Sequence, residues 1–212
     1  MGGSAVESAL RSGAGAPGLK LIETLRVGSP PARLALHRAR MARGAAALGW
    51  GFDAGGFDAA VAADPGAGLR LRLTLDAAGQ FDRTQAALPE TAPLWRLGLA
   101  TTRLSSQDPW LTLKSTNRAA YDAARAALPP GLDEVIFLNE RGEVCDGSIT
   151  TLFFDRGQGM RTPPLTSGLL PVVLRAEMAC PEEILMADDL PRVRLWVGNA
   201  LRGLIPAVWV GP

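Results

Sequence analysis

Lysine is the residue type whose use in this chain first points to chemistry, because the chain has only Lys20 and Lys114 beside 20 arginines. Arginine stays charged and cannot act as an amine nucleophile, whereas a partly buried lysine can lose its proton and form a Schiff base. Lys114 lies in LTLKSTNRAAYDAARAALPPG (residues 111–131), between an apolar segment and a predicted helix start. Lys114 is therefore a candidate nucleophile, and a lone surface lysine is the alternative interpretation.

Three further features complement this amine. Arg40 lies in HRARM, Asp146 lies in EVCDGSITTLF, and SGLLPVVLR (residues 167–175) predicts a helix start whose backbone N–H groups can bind a phosphate. Pyridoxal 5′-phosphate requires such a set of groups. A lysine holds its aldehyde as an imine, a carboxylate keeps its ring nitrogen protonated, and an arginine with backbone amides holds its phosphate.

Composition excludes several other classes of protein. The formal charge of +1 with mixed signs, and the lack of a basic stripe, argue against a nucleic-acid partner. Cys145 and Cys180 form no CxxC motif, which fits a reduced, cytoplasmic setting, and a sole histidine, His37, argues against a histidine-built metal site. No apolar run approaches the roughly 20 residues that span a membrane. Residues 1–18 are expected to be a flexible lead-in.

The elements that must position these residues fall into two predicted lobes, 19–107 and 108–212. In the first, LKLIETLR and LRLRLTL have strand patterns, the latter with strict alternation over residues 69–75. A long helix between them ends at Gly49, a predicted C-terminal cap. One helical stripe comprises Leu34, Leu36, Met41, Ala45 and Leu48, and other faces carry Arg38, Arg40 and Arg43.

The second predicted lobe begins at LTLK, and Ser115 or Thr116 is the expected N-cap of its first helix. The segment DEVIFLNERGEVCDGSITTLFF predicts a hairpin whose returning strand runs through Ile149 to Phe154. A helix with Pro171 in its first turn and a final strand–turn–strand follow. Because the strands and helices lack a regular βαβ rhythm, the expected fold is a mixed α/β (α+β) fold in two lobes.

The chain resembles the class IV aminotransferases, the pyridoxal-phosphate enzymes of fold type IV. This family includes branched-chain aminotransferases, D-amino acid aminotransferases and aminodeoxychorismate lyases. The resemblance runs from about Leu21 to Val210 and is most specific in NERGEVCDGSITTLF. Other matching stretches are LIETLR, LHRARMARGAAALG, LKSTNRAAYDAARAAL, TPPLTSGLLPVVLRAEM and VGNALRGLIPA. It implies a two-lobed architecture like that of D-amino acid aminotransferase.

The resemblance also implies a role for single residues. Lys114 matches the Schiff-base lysine, and Asp146 stands where the family usually has a glutamate that pairs with the pyridine nitrogen. Arg40 matches the arginine of the H-x-x-R phosphate motif, with a solvated helix-face arginine as the alternative, whereas His37 is expected to be structural.

Further residues of the cofactor site follow from the same match. Leu170 matches a residue that packs against the cofactor ring, and the amides of Val173 and Leu174 match the phosphate-binding turn. Asn199 and Ala200 match a pair whose second member often supplies a hydroxyl to the phosphate, which alanine cannot do.

Within this family NALRGLIPA and SGLLPVVLR look closer to the lyases than to the branched-chain aminotransferases. The expected reaction splits 4-amino-4-deoxychorismate into p-aminobenzoate, a folate precursor, and pyruvate. The alternatives are an amino acid transaminase of branched-chain or D-amino acid type and, in another class, a non-catalytic ligand-binding relative. Arg26 and Arg202 are candidate binders of a substrate carboxylate. The resemblance further implies a small-molecule amino substrate and a homodimer.

Overall fold

The computed structural model describes residues 5–62 and 68–211. The chain forms two compact units. Unit 1 covers the described part of Met1–Glu90 together with Leu113–Asn117, and unit 2 covers that of Thr91–Thr112 and Arg118–Pro212. The short segment 113–117 belongs to unit 1 because its backbone pairs with the first strand, as described below.

Unit 1 is an antiparallel three-stranded sheet with helices on one face. Its elements are α1 (Ala5–Gly13), β1 (Leu21–Arg26), α2 (Pro31–Leu48), α3 (Ala54–Ala62), β2 (Leu69–Leu75) and β3 (Phe81–Ala87). The strand order is β1-β2-β3. Alternation along the strands buries one row of leucines completely, including Leu25, Leu71 and Leu73. The alternating pattern therefore predicted β1 and β2 correctly, whereas β3 had no sequence prediction.

The N-terminal segment differs from the expected lead-in over residues 1–18. Residues 1–4 lie outside the described part of the chain, but Ala5–Gly13 form α1 and Leu10 is only 3% exposed. An apolar side chain that is removed from water in this way stabilises a segment that composition alone suggested to be loose.

Helix α2 ends as predicted, and its buried face includes Met41, Ala45 and Leu48 of the predicted stripe. Gly49 adopts φ +73°, and its N–H donates to the carbonyl groups of the preceding turn. The prediction that Arg40 lies away from the packed stripe was wrong, because Arg40 and His37 are buried beside Met41. A buried carboxylate compensates the arginine charge, so a polar residue can occupy the packed face.

Unit 2 is built on a six-stranded mixed sheet. Its elements are β4 (Trp95–Leu99), α4 (Ala119–Ala126), β5 (Glu134–Leu138), β6 (Val144–Gly147), β7 (Thr151–Asp155), α5 (Val173–Met178), β8 (Arg194–Asn199) and β9 (Gly203–Trp209). The strand order is β6-β5-β4-β9-β8-β7. Strand β4 is parallel to both of its neighbours, and the other pairs are antiparallel.

The returning strand of the predicted hairpin is in fact two strands. β6 pairs with β5, whereas β7 pairs with β8 at the other end of the strand order. Only residues 148–150 separate β6 from β7, and the N–H of Gly147 donates to the carbonyl of Thr150 over 2.8 Å. Since the first and last strands are consecutive in the chain, the sheet curls round on itself.

Two helix starts also differ from the sequence predictions. α4 begins at Ala119, after Arg118, so neither Ser115 nor Thr116 is its cap. The Ser115 hydroxyl accepts a hydrogen bond from the Asn117 amide, and the Thr116 hydroxyl accepts one from the Lys20 amide. Pro171 precedes α5, which begins at Val173, and does not lie in its first turn. Within the described ranges, none of the helices has the length and apolarity needed to cross a membrane.

Candidate active site

Lys114 is held against the edge of the unit 1 sheet by backbone hydrogen bonds. The Ile22 N–H donates to the carbonyl of Lys114 over 2.8 Å, and the Thr116 N–H donates to the carbonyl of Lys20 over 2.9 Å. Leu21 and Ser115 form an antiparallel bridge between these two bonds. The candidate nucleophile is therefore positioned by β1, although it lies more than 90 residues later in the chain.

Arg40 lies in a buried ionic cluster with Glu23 of β1 and His37 of the same helix. Its Nε and Nη2 donate to the two carboxylate oxygens of Glu23 over 2.7 and 2.6 Å, and the Nδ1 of His37 lies 2.6 Å from the same carboxylate. Burial alone would raise the pKa of Glu23, but the charge and hydrogen bonds of Arg40, with those of His37, lower it to about 2. Glu23 therefore fixes the orientation of the guanidinium.

Lys114 and Arg40 belong to opposite faces of β1. Glu23 points toward α2, where it binds Arg40, so its neighbour Ile22 points to the other face of the sheet. Lys114 lies directly opposite Ile22, as the antiparallel bridge next to this pair requires. Residues directly opposite each other share a face. Strand β1 thus contacts both predicted residues, Arg40 through Glu23 on one face and Lys114 through the pairing with Ile22.

Asp146, on β6, has a buried carboxyl group that accepts two hydrogen bonds. The Tyr121 hydroxyl donates to Oδ1 over 3.0 Å, and the Leu170 amide donates to Oδ2 over 3.2 Å. Asp146 is 4% exposed, and burial, the largest influence, raises its pKa to about 7 despite these two bonds. The Tyr121 ring packs on Phe137 with a centroid distance of 4.8 Å. The guanidinium carbon of Arg118 lies 5.6 Å from the centroid of the same Tyr121 ring.

A tight turn brings the Leu170 amide to Asp146. Gly168 has φ +85°, and a side-chain carbon there would lie 2.6 Å from the Cα of Ser106. Both the positive φ and the close approach exclude other residues. The glycine of SGLLPVVLR is thus needed for the chain path that aims this amide at the carboxyl group.

Glu134, on β5, organises the short connection that follows Asp146. This fully buried carboxylate accepts hydrogen bonds from the amides of Ser148 and Ile149 and from the hydroxyl groups of Ser148 and Thr150, over 2.5 to 3.1 Å. It also packs under Gly147, where a side-chain carbon would lie 2.8 Å from the carboxylate. The glycine after Asp146 therefore makes room for Glu134.

One of the remaining predicted residues of unit 2, Asn199, contacts the same connection. The Asn199 amide group donates to the carbonyl of Ile149 over 3.1 Å, and its oxygen accepts from the amides of Leu201 and Arg202. Ala200 is buried, and the Arg202 guanidinium lies 5.6 Å from the ring centroid of Trp95. Asn199 therefore shapes both this turn and the connection between β6 and β7.

Helix α5 begins at the two residues whose amides were predicted to bind a phosphate. No side chain caps the helix at Val172, and Val173 and Leu174 are the first residues of the helix. Leu174 packs so closely on β8 that a side-chain carbon at Gly198 would lie 2.7 Å from it.

Arg26, a predicted binder of a substrate carboxylate, lies at the end of β1 in unit 1 and is exposed.

Sequence reasoning missed three residues that hold the candidate site residues in place: Glu23, Tyr121 and Glu134. Tyr121 is the sole tyrosine of the chain, and this was a usable signal. Glu23 lies in the partly apolar strand segment LIETLR, and Glu134 directly precedes the apolar run VIFL. A charged residue in such a segment is expected to have a buried partner.

Comparison with known proteins identifies the family. The family model for amino-transferase class IV matches residues 20–209. The chain belongs to the class IV aminotransferase family. It is thus an enzyme of a family that uses pyridoxal 5′-phosphate, as the motif resemblance predicted. Among curated proteins, no match was found.

Solved structures of this family share the fold. A protein from Mesorhizobium loti, provisionally described as an amino-acid aminotransferase, is 40% identical with a TM-score of 0.82, and the match covers 91% of this chain and 100% of that one. A fold IV transaminase from Curtobacterium pusillum is 25% identical with a TM-score of 0.76, over 93% of this chain and 78% of that one.

The 4-amino-4-deoxychorismate lyase from Pseudomonas aeruginosa is also similar in structure. It is 23% identical with a TM-score of 0.77, and the match covers 91% of this chain and 83% of the lyase. At this identity the similarity establishes the fold alone. The mixed α/β, fold-type IV prediction is confirmed.

Proposed function

We propose that this protein is a pyridoxal 5′-phosphate-dependent enzyme that acts on a small amino substrate and binds the cofactor through Lys114. The observation that carries the proposal is the environment of Asp146. In residues 5–62 and 68–211 no lysine, arginine or histidine nitrogen lies within ion-pair distance of this buried carboxyl group, whose pKa burial raises to about 7. The charge of Arg118 lowers this pKa from beyond ion-pair distance, but burial raises it more. A protonated pyridine nitrogen would supply a closer positive charge, so the residues present fit the cofactor.

The chain's own residues have separate tasks in this proposal. When bound, the cofactor supplies an aldehyde that links to amines and a ring that accepts electrons from the reacting carbon. The Nζ atom of Lys114 would hold the cofactor through that aldehyde and would move the proton at the substrate carbon. Asp146 holds a proton at the ring nitrogen, while Tyr121 and the Leu170 amide hold Asp146 in position.

The phosphate is the second anchor of the proposed cofactor site. We assign it to Arg40, to the amides of Val173 and Leu174, and to the turn at Asn199 and Ala200, with Leu170 against the ring. Glu23 already occupies two nitrogens of Arg40, so this arginine has its remaining Nη1 to offer without rearrangement. Ala200 has no hydroxyl, so the turn can contribute only backbone groups and the Asn199 side chain.

The proposed reaction is the lyase reaction, in which 4-amino-4-deoxychorismate is split into p-aminobenzoate and pyruvate. The segments NALRGLIPA and SGLLPVVLR support it. An amino acid transaminase is the second candidate, and the description of the 40% identical relative as an aminotransferase favours it. A transaminase would leave the amino group on the cofactor, whereas the lyase reaction returns it in the product.

The absorbance of the protein with pyridoxal 5′-phosphate tests this proposal. We expect a visible band when the cofactor binds, no lasting bleaching by D-alanine, glutamate or leucine, and equal amounts of p-aminobenzoate and pyruvate from 4-amino-4-deoxychorismate. Bleaching by one amino acid, with formation of its keto acid, would establish a transaminase instead. A protein without a visible band would contradict the cofactor assignment and favour a non-catalytic relative.

A further inference from the structure

The face of the unit 1 sheet that carries Lys114 also carries arginines. Because side chains alternate along a strand, Arg26 lies on the same face of β1 as Ile22, which is opposite Lys114. The register of β1 and β2 places Arg70 directly opposite Arg26, and Arg72 directly opposite Thr24. The helices cover the other face, where Leu25 and Leu71 are fully buried.

The cross-strand pair of Arg26 and Arg70 is unfavourable without an anion. Like charges directly opposite each other in a sheet repel and destabilise the pairing. Within the described ranges neither guanidinium has a hydrogen-bond or ion-pair partner, and the next strand places Ala86 opposite Arg70. The acidic residue of β3 on this face, Asp82, lies near the other end of the strands, where it pairs with Lys20 at 3.8 Å.

We propose that Arg26 and Arg70 together bind a carboxylate of the substrate, on the same sheet face as the reactive amine of Lys114. This inference rests on the proposed function, since it takes Lys114 as the residue that meets the substrate amine. Arginine suits the role because its planar guanidinium group matches both oxygens of a carboxylate. Two such groups side by side neutralise the anion and relieve their mutual repulsion.

The distance from Lys114 to the arginine pair indicates how far the bound carboxylate lies from the reacting amine of the substrate. Arg26 lies four residues along β1 from Ile22, so its Cα is roughly 13 Å from the level of Lys114, and Arg70 lies one strand further away. Both side chains are long, but an α-amino acid holds its carboxylate on the carbon that bears the reacting amine. The geometry therefore favours a substrate whose carboxylate lies across a ring from its amine, as in a 4-amino ring carboxylate.

Binding of 4-aminobenzoate to the cofactor-loaded protein, measured by calorimetry, tests this inference. We expect wild-type protein to bind it at least about tenfold more tightly than 4-aminobenzamide, which has the same shape without the charge. Arg26→Gln and Arg70→Gln should each weaken binding of 4-aminobenzoate about tenfold and leave binding of the amide unchanged. The matched control is Arg43→Gln, an exposed arginine of α2, which should bind like wild type.

The outcomes separate this inference from the cofactor assignment. Arg26→Gln and Arg70→Gln should keep the visible cofactor band, which also shows that they fold. If both variants keep the band and bind 4-aminobenzoate like wild type, the arginine pair is not the carboxylate site. Equal affinity of wild type for the acid and the amide would overturn the inference without any variant. Loss of the band in wild type would instead contradict the proposed function.

Discussion

At the scale of single residues, Asp146 combines burial, two hydrogen bonds and a raised pKa. Aspartate is one methylene shorter than the glutamate usual in the family, and in this chain it is fixed by the Tyr121 hydroxyl and the Leu170 amide. Its pKa of about 7 means that it takes up a proton readily when no cation is near. A bound pyridinium would favour the ionised form, so cofactor binding and ionisation are coupled.

Replacement of Asp146 by asparagine should remove this coupling. In the cofactor-free protein the pKa of Asp146 lies above its ordinary value of 3.8. The folded protein then binds more protons than the unfolded chain, and the contribution of Asp146 to the free energy of unfolding falls as pH rises from about 4 to about 7. Urea unfolding across this window should show wild type losing stability relative to Asp146→Asn.

The same variant should bind the cofactor yet react slowly. We expect turnover to fall about a hundredfold, because one electrostatic contact to the reacting system is lost. Unchanged turnover would mean that another group protonates the ring nitrogen. A difference in unfolding free energy that is flat over the pH window would show that Asp146 is not buried as a titrating group.

Lys114 can be tested against the other lysine of the chain. Lys114→Ala should abolish the visible band with pyridoxal 5′-phosphate, because Lys114 is the one lysine in LKSTNRAAYDAARAAL, the stretch that matches the Schiff-base segment of the family. Lys20→Ala is the matched control, since Lys20 makes a 3.8 Å ion pair with exposed Asp82 and should not affect the band. A band that persists in the first variant, or disappears in the second, would contradict the assignment of Lys114.

At the scale of elements, the connection between β6 and β7 decides how the unit 2 sheet is built. Glu134 accepts hydrogen bonds from three consecutive residues, Ser148, Ile149 and Thr150, and the Arg118 guanidinium donates to the carbonyl of Ser148 over 2.8 Å. These bonds satisfy backbone groups that an unbroken strand would have paired. The chain can therefore leave β6 at Gly147 and begin β7 at the other end of the strand order.

Removal of this carboxylate should destabilise unit 2. Glu134→Ala leaves several buried donors without an acceptor, so we expect the free energy of unfolding to fall by about 3 kcal/mol. Glu183→Ala, which removes a partly exposed glutamate paired with Arg156 at 2.9 Å, should cost less than about 1 kcal/mol. Urea denaturation of both variants provides the comparison, and equal losses would show that the connection does not depend on Glu134.

At the scale of the whole molecule, the residues assigned in the proposal are distributed over both units. Unit 1 contains Lys114, Arg40 and the arginine pair, and unit 2 contains Asp146, Leu170 and the start of α5. The segment around Lys114 is the clearest sign of this division, because the chain returns to β1 for only five residues, Leu113–Asn117, before it continues in unit 2.

We propose that the protein is a homodimer, as the family resemblance implies. Sedimentation equilibrium should then give twice the mass of one chain, which is 22.3 kDa. The measurement needs the cofactor-loaded protein, because ligand binding and assembly can stabilise each other. A monomer at micromolar concentration, together with a normal cofactor band, would remove the dimer from the proposal.

Local patterns were enough to predict single elements. The strict alternation of LRLRLTL matches β2 residue for residue, Gly49 caps α2 as expected, and the scarcity of lysine singled out Lys114. Each of these signals arises within a few neighbouring residues, so no knowledge of distant contacts is needed. The resemblance carried by NERGEVCDGSITTLF likewise needed only the order of residues, and it identified the family.

Contacts between distant residues decided the rest. Burial of Arg40 depends on Glu23, 17 residues earlier, and the break after β6 depends on Glu134. The position of Lys114 depends on Ile22, and the arginine pair exists only in the register of β1 with β2. Sequence alone determined the family, most elements and the candidate nucleophile. Only the tertiary structure decided which charges are compensated and which residues share a face, because desolvation and hydrogen bonding act between neighbours in space.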